Sequence, residues 1–181
     1  MSEPEKASEA KKQEAPKKKP FRLMRILLIL FLLFAGMQFF QPNKDNQDMD
    51  MRHDISHVIH IPDSVYSLLK TACYDCHSNF THYAWYSDIQ PFGWWMNGHI
   101  EDGKRHLNFQ EFALLQPTEK FGTTALRQAD KLDEVMETVK GGIMPLRSYT
   151  SLHKEAKLTQ AQKTTIINWA AAAREQILRP Q

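Results

Sequence analysis

The residues best suited to chemistry lie in one pentapeptide, Cys73-Tyr74-Asp75-Cys76-His77, which holds both cysteines of the chain. Two thiols three residues apart lie on neighbouring helical turns, where they can meet two vinyl groups on one edge of a porphyrin. The histidine that follows is then held beside the iron. Cys-x-x-Cys-His therefore reads as a c-type haem attachment site. Cys73 and Cys76 would carry the thioethers and His77 the proximal imidazole.

Three other readings compete. A zinc site needs four ligands, and Cys73, Cys76, His77 and His82 supply them, but no second cysteine pair exists. A thioredoxin-like dithiol wants a strand-to-helix setting that the sequence lacks. A simple disulfide or a chance match is the third.

A monohaem electron carrier usually has a second axial ligand, Met or His. Most methionines are core filler. Met144 has a distinctive context, Gly142-Ile143-Met144-Pro145, 71 residues after Cys73 and one loop before the last helix. The glycines let the backbone approach a macrocycle, and Pro145 stiffens the loop. His99 is the runner-up, and His153 is a weaker candidate. Aromatic residues Tyr83, Trp85, Tyr86, Phe92, Trp94 and Trp95 follow the pentapeptide. They read equally as a wall against the haem and as a packed core or interaction surface. His53, His57 and His60 would share one helix face and could hold a metal, but the helix signals there are weak. No carboxylate pair suggests acid–base catalysis; Glu111, Asp130, Asp133 and Glu134 read as charged helix faces.

The elements that must position these residues read as helical. Val65, Leu68, Leu69 and Ala72 mark a short amphipathic helix running into Cys73. Asn108 and Glu111 resemble a capping pair ahead of Phe109 and Phe112. Leu126, Ala129, Leu132, Met136 and Val139 mark a longer helix stopped by Gly141-Gly142. Thr159 and Gln162 form a capping-box pattern before a last helix with Ile166, Trp169, Ala170, Ala173 and Ile177 on one face.

Length and charge set the limits. The chain has 181 residues, 42% hydrophobic and 24% charged, which suits one globular domain and excludes a wholly disordered chain. A net charge of +2 makes no case for nucleic-acid binding. The basic excess sits in residues 1–25, with eight Lys/Arg against four Glu. Residues 1–20 read as a disordered cytoplasmic tail. Residues 21–40 are almost wholly apolar and, as a helix, would span ~30 Å, with Arg22 and Arg25 at the start. They read as an uncleaved signal anchor; Phe34-Ala35-Gly36-Met37 is a poor cleavage site. The positive-inside bias would export the rest. Residues 41–60 read as a polar linker, and residues 61–181 as the haem-binding domain.

From about residue 62 to 175 the chain resembles the bacterial haem-binding domain family, a cytochrome c-like group of exported proteins. The resemblance rests on Cys73-Tyr74-Asp75-Cys76-His77-Ser78, Trp85-Tyr86, Gln90-Pro91, Trp94 with His99, and Leu107-Asn108-Phe109. It continues in Met144-Pro145 with Tyr149, His153, Leu158 and Trp169, and in the anchor ending Gln38-Phe39-Phe40. It implies one haem c per chain, held covalently at Cys73, Cys76 and His77. The long charged tail before the anchor departs from the family's pattern.

The expectations are therefore an all-α, class I cytochrome c-like domain behind one transmembrane helix, at the inner membrane and facing the periplasm. It would pass single electrons between redox partner proteins, with iron held by His77 and Met144. The rivals are a peroxidase-like haem enzyme, a haem subunit of a larger oxidoreductase, and a haem or zinc sensor module.

Overall fold

The computed structural model describes residues 20–44 and 50–179. The expected tail lies outside the described residues, except for Pro20. Every regular element among the described residues is helical. The chain divides into two compact units, one ending at Phe40 and one running from Gln41 to Gln181.

The first unit holds α1, Pro20–Met37, of 18 residues. The apolar stretch continues to Phe40, but the helix does not. Gln38 turns its side-chain amide back onto the Phe34 carbonyl at 2.9 Å, and residues 38–40 follow as single turns. Arg22 and Arg25 fall inside the helix, and the Arg25 guanidinium lies 4.2 Å from the Phe21 ring centroid. The expected 20-residue transmembrane helix is corrected accordingly: among the described residues, no helix is long and apolar enough to cross a membrane.

The second unit is built on α2 (Asp63–Ala72), α3 (Tyr74–His77), α4 (Phe92–His106), α5 (Thr124–Lys140), α6 (Arg147–Leu152) and α7 (Gln160–Leu178). Helices α5 and α7 pack along each other. Leu132, Val135 and Val139 of α5 and Ile166, Trp169, Ala170 and Ala173 of α7 are buried in one core cluster. Small alanines on α7 let the two backbones approach, and an Arg174–Asp133 ion pair at 2.8 Å ties the helices at the surface. Helix α2 adds Val65 and Leu69 to the same core. Each such side chain stabilises the fold by roughly 1.5–3 kcal/mol on burial.

The caps explain where the helices begin. The Thr159 hydroxyl accepts from the Gln162 amide at 3.3 Å and Gln162 Oε1 accepts from the Thr159 amide at 2.8 Å, so the expected capping box is formed. Thr123 caps α5 through the Leu126 amide at 3.2 Å. The Asn108–Glu111 pair behaves differently. Asn108 Oδ1 accepts from the Gln110 amide at 3.1 Å, whereas Glu111 takes a hydrogen bond from the Asn79 side chain at 2.6 Å. The segment that follows, Phe109–Leu114, is a 3-10 turn that drives Phe109 and Phe112 into the core.

Residues 50–60, expected in the linker, belong to the domain. Ile55 and Ile59 are buried, and Asp54 beside them is fully buried. Asp54 accepts from the Ser56 amide and hydroxyl with one carboxylate oxygen and from the Tyr74 hydroxyl, at 2.8 Å, with the other. Three exposed histidines, His53, His57 and His60, surround these buried positions and conceal them in the sequence. Only a 3-10 turn, Ile55–His57, forms here, so the histidines do not share a helical face.

Candidate functional site

Helix α2 runs directly into the pentapeptide. The Cys73 amide bonds the Leu69 carbonyl at 2.9 Å and closes α2, while the Cys73 carbonyl accepts from the Cys76 and His77 amides at 3.1 and 3.0 Å and opens α3. One tight turn thus carries Cys73, Cys76 and His77 to the wall of a single cavity of about 480 Å³. That volume lies in the range of cofactor sites. Both cysteines are unbridged thiols. Burial pushes the Cys73 thiol up to about 12 and the Cys76 thiol up to about 11, so both stay protonated.

His77 is oriented by its second nitrogen. Nδ1 lies 2.8 Å from the Leu107 carbonyl oxygen, which can only accept, so Nδ1 carries the proton and Nε2 keeps its lone pair. Burial holds its pKa below the usual imidazole value, against the pull of the Leu107 carbonyl. The ring meets Phe109 edge-on, with centroids 6.1 Å apart, and Phe109 stacks on Tyr74 at 5.3 Å. A neutral imidazole with Nδ1 bonded to a carbonyl is the arrangement of a metal-binding histidine.

Helix α4 supplies His99, Asp102, Gly103 and His106 to the same cavity. Gly103 is where α4 and α3 touch. A Cβ placed there would lie 2.6 Å from the Cys76 carbonyl oxygen, closer than real contacts allow. Gly103→Ala is therefore expected to push α3 away and to destabilise the holoprotein by about 1–3 kcal/mol, the usual range for overpacking. Chemical denaturation checks this; an unchanged midpoint would mean that α3 yields freely.

Met144 reaches the cavity from the end of α5. Gly142 has φ +68°, a left-handed conformation that favours glycine. The Gly142 amide bonds the Val139 carbonyl at 3.2 Å, and the Ile143 amide bonds the Thr138 carbonyl at 2.9 Å. These two bonds are a Schellman motif. The Met144 amide also reaches the Thr138 carbonyl, at 3.2 Å, so the residue is held close to the helix end. Met144, Pro145 and Leu146 line the cavity together with Val135, Thr138 and Val139.

The structure thus brings Cys73, Cys76, His77, Met144 and His99 to one cavity. His99 Nδ1 is bonded to the Trp95 carbonyl at 2.8 Å. His153 is not among the lining residues; its Nε2 takes the Tyr86 hydroxyl at 2.6 Å. Nor does the aromatic cluster wall this cavity. Tyr86, Phe92 and Trp95 line a separate space of about 50 Å³, and Trp85 is 75% exposed. The zinc readings find no support: among the described residues, no group of three or more His, Cys, Asp or Glu is placed to hold a metal ion.

Sequence reasoning missed two contributors and the partner of a third. The Leu107 carbonyl is backbone and has no side-chain signature. Gly103 sits mid-helix, where an isolated glycine hints at close packing without naming the neighbour. Tyr149, which bonds Asp75 at 2.6 Å, is 74 residues away from its partner.

The donors suit an iron porphyrin: two thiols beside one imidazole whose Nδ1 is engaged by the Leu107 carbonyl, a thioether and a second imidazole on the same cavity, and flanking walls of Ala72, Leu107, Phe109, Val135, Val139 and Leu146. The fold and the site define a helical domain in which two thiols, a thioether and the imidazoles of His77 and His99 line one largely apolar cavity. The chain belongs to the haem-binding domain family, whose family model matches residues 32–172. No curated protein and no solved structure matches it.

Proposed function

We propose that this haem-binding domain is a monohaem c-type cytochrome that carries single electrons between redox partner proteins. The observation that carries the reading is the shared cavity of Cys73, Cys76, His77 and Met144, with His77 Nδ1 committed to Leu107. Each thiol would add across a vinyl group, sulfur to one carbon and hydrogen to the other, with no net oxidation or reduction. His77 Nε2 and Met144 Sδ would hold the iron. The bound haem supplies a one-electron couple. The chain's own part is to exclude water from the cavity, to fix the tautomer of His77 and to hold the thioether in reach. Met ligation favours a higher potential than two histidines.

Residues 21–40 would attach the domain to the cytoplasmic membrane, with the domain facing the periplasm. Supporting this, the large apolar side chains from Ile26 to Leu33 are all more than half exposed. Their all-round apolar character suits lipid better than water.

A pyridine haemochrome measurement on denatured full-length protein, made in cells that mature c-type cytochromes, tests the reading. Haem that stays with the unfolded chain, and a reversible one-electron titration of the native protein, are expected. A chain that releases all its haem on unfolding would overturn covalent attachment. High-spin iron with peroxide turnover would move the assignment to an enzyme.

A further inference from the structure

We propose that Tyr149 is a positioning residue whose hydroxyl, bonded to Asp75, latches the Met144 loop onto the attachment helix. The inference rests on the reading of Met144 as the axial ligand. Asp75 is one of the two free positions of Cys-x-x-Cys-His, and the attachment chemistry does not require an acid there. Its Oδ2 accepts from Tyr149 at 2.6 Å, and its Oδ1 accepts from the His82 amide at 3.2 Å. Asp75 lies between the cysteines, and Tyr149 lies five residues past Met144. The bond therefore joins the two segments that carry the iron donors.

Apart from the Tyr86–His153 hydrogen bond at its far end, few polar ties among the described residues reach the Tyr149 segment from other elements. Helix α6 has six residues and buries none of them. The Schellman motif fixes the loop at Ile143 and Met144, and Tyr149 is the second tie point. The Tyr149 ring is itself aligned by stacking on His153, with centroids 4.4 Å apart and an interplanar angle of 18°. His153 is in turn held by the Tyr86 hydroxyl at 2.6 Å and by Glu155 at 3.3 Å. The hydroxyl is thus aimed at a charged acceptor, the stronger kind of hydrogen bond. Tyr149 also lines both the large cavity and the smaller aromatic one, so its displacement would open the wall between them.

The experiment is a cyanide titration of the ferric full-length holoprotein. Cyanide binds iron only after the internal ligand leaves, so its apparent affinity follows the fraction of molecules with the loop open. Tyr149→Phe keeps the ring and its stacking but removes the hydroxyl. It is expected to tighten apparent cyanide binding about tenfold, as the loss of one hydrogen bond to a charged group predicts. Asp75→Asn leaves a neutral, weaker acceptor and should act in the same direction, and the double variant should gain no more than the larger single effect, because all three act on one bond. Asp75→Asn also supplies the test from the other end should Tyr149→Phe fail to accumulate. Unchanged cyanide affinity alongside lowered thermal stability would reduce Tyr149 to a structural residue and overturn the latch. So would effects of the two variants that multiply independently. If wild type binds cyanide as tightly as Met144→Ala/His99→Ala does, no internal side chain holds the sixth position; the ligand set proposed above then fails, and the latch with it.

Discussion

Replacing Cys73 and Cys76 together by alanine is expected to remove all haem that survives denaturation. Two thioethers are the proposed covalent links, and no other cysteine exists in the chain to substitute for them. Cys76→Ala alone is expected to prevent stable attachment as well, because it leaves Cys73 as the one thiol beside His77. A haem stain of the denatured chain and its intact mass read the result. Wild-type haem content in the double variant would end the covalent assignment. A second consequence concerns the fold. The cavity walls include Ala72, Leu107, Phe109, Val135 and Val139, and the volume is about 480 Å³. Left empty and closed to water, such a volume would cost on the order of 10 kcal/mol at about 24 cal/mol per Å³, which is comparable with the whole stability of a small domain. The haem-free double variant is therefore expected to collapse or unfold rather than keep the cavity open. Loss of a cooperative thermal transition, measured by far-UV circular dichroism, would report it.

How much of this could be read in advance depended on whether the signal was local. Cys73, Cys76 and His77, the proposed attachment residues, fall in five consecutive residues, and Gly142-Ile143-Met144-Pro145 places a helix stop and a thioether in four. Both were visible because their geometry is set by neighbouring peptide units. The Thr159–Gln162 capping box was legible for the same reason. Glu111 misled because a capping box needs a regular helical first turn, and φ −115° at Glu111 interrupts the segment. Residues 50–60 misled in another way. A 3-10 turn has no 3.6-residue period, so Ile55 and Ile59 show no amphipathic pattern and the exposed histidines dominate the reading. The end of α1 was missed because apolar composition does not report helix length; Gln38 closes the helix although Phe39 and Phe40 continue the apolar run. Tyr149–Asp75, Gly103–Cys76 and His77–Leu107 are contacts between segments distant in the chain, and one sequence holds no record of such pairings.

Met144→Ala is expected to lower the reduction potential by on the order of 0.1 V, a fraction of the roughly 0.8 V range that axial ligands command. It should also abolish the near-infrared band that marks a thioether on ferric haem. The direction follows from the donor: a thioether stabilises the reduced iron more than imidazole or water does, so its removal favours the oxidised form. His99 decides what replaces it. Its side chain reaches the same cavity, with Nδ1 occupied by the Trp95 carbonyl at 2.8 Å, so Nε2 is the nitrogen left for a metal. If His99 moves onto the iron in Met144→Ala, the variant stays low-spin with a bis-histidine spectrum. If it does not, the iron becomes high-spin and binds external ligands. The double variant Met144→Ala/His99→Ala separates these results, because only in the first does it differ from the single. His99→Ala alone is expected to leave the spectrum of the wild-type background unchanged. The reverse pattern, with Met144→Ala silent and His99→Ala disruptive, would reassign the sixth ligand to His99. It would also change the role of the Schellman turn at Gly142. The turn would then close the cavity with an apolar side chain, leaving the potential to a second imidazole on α4.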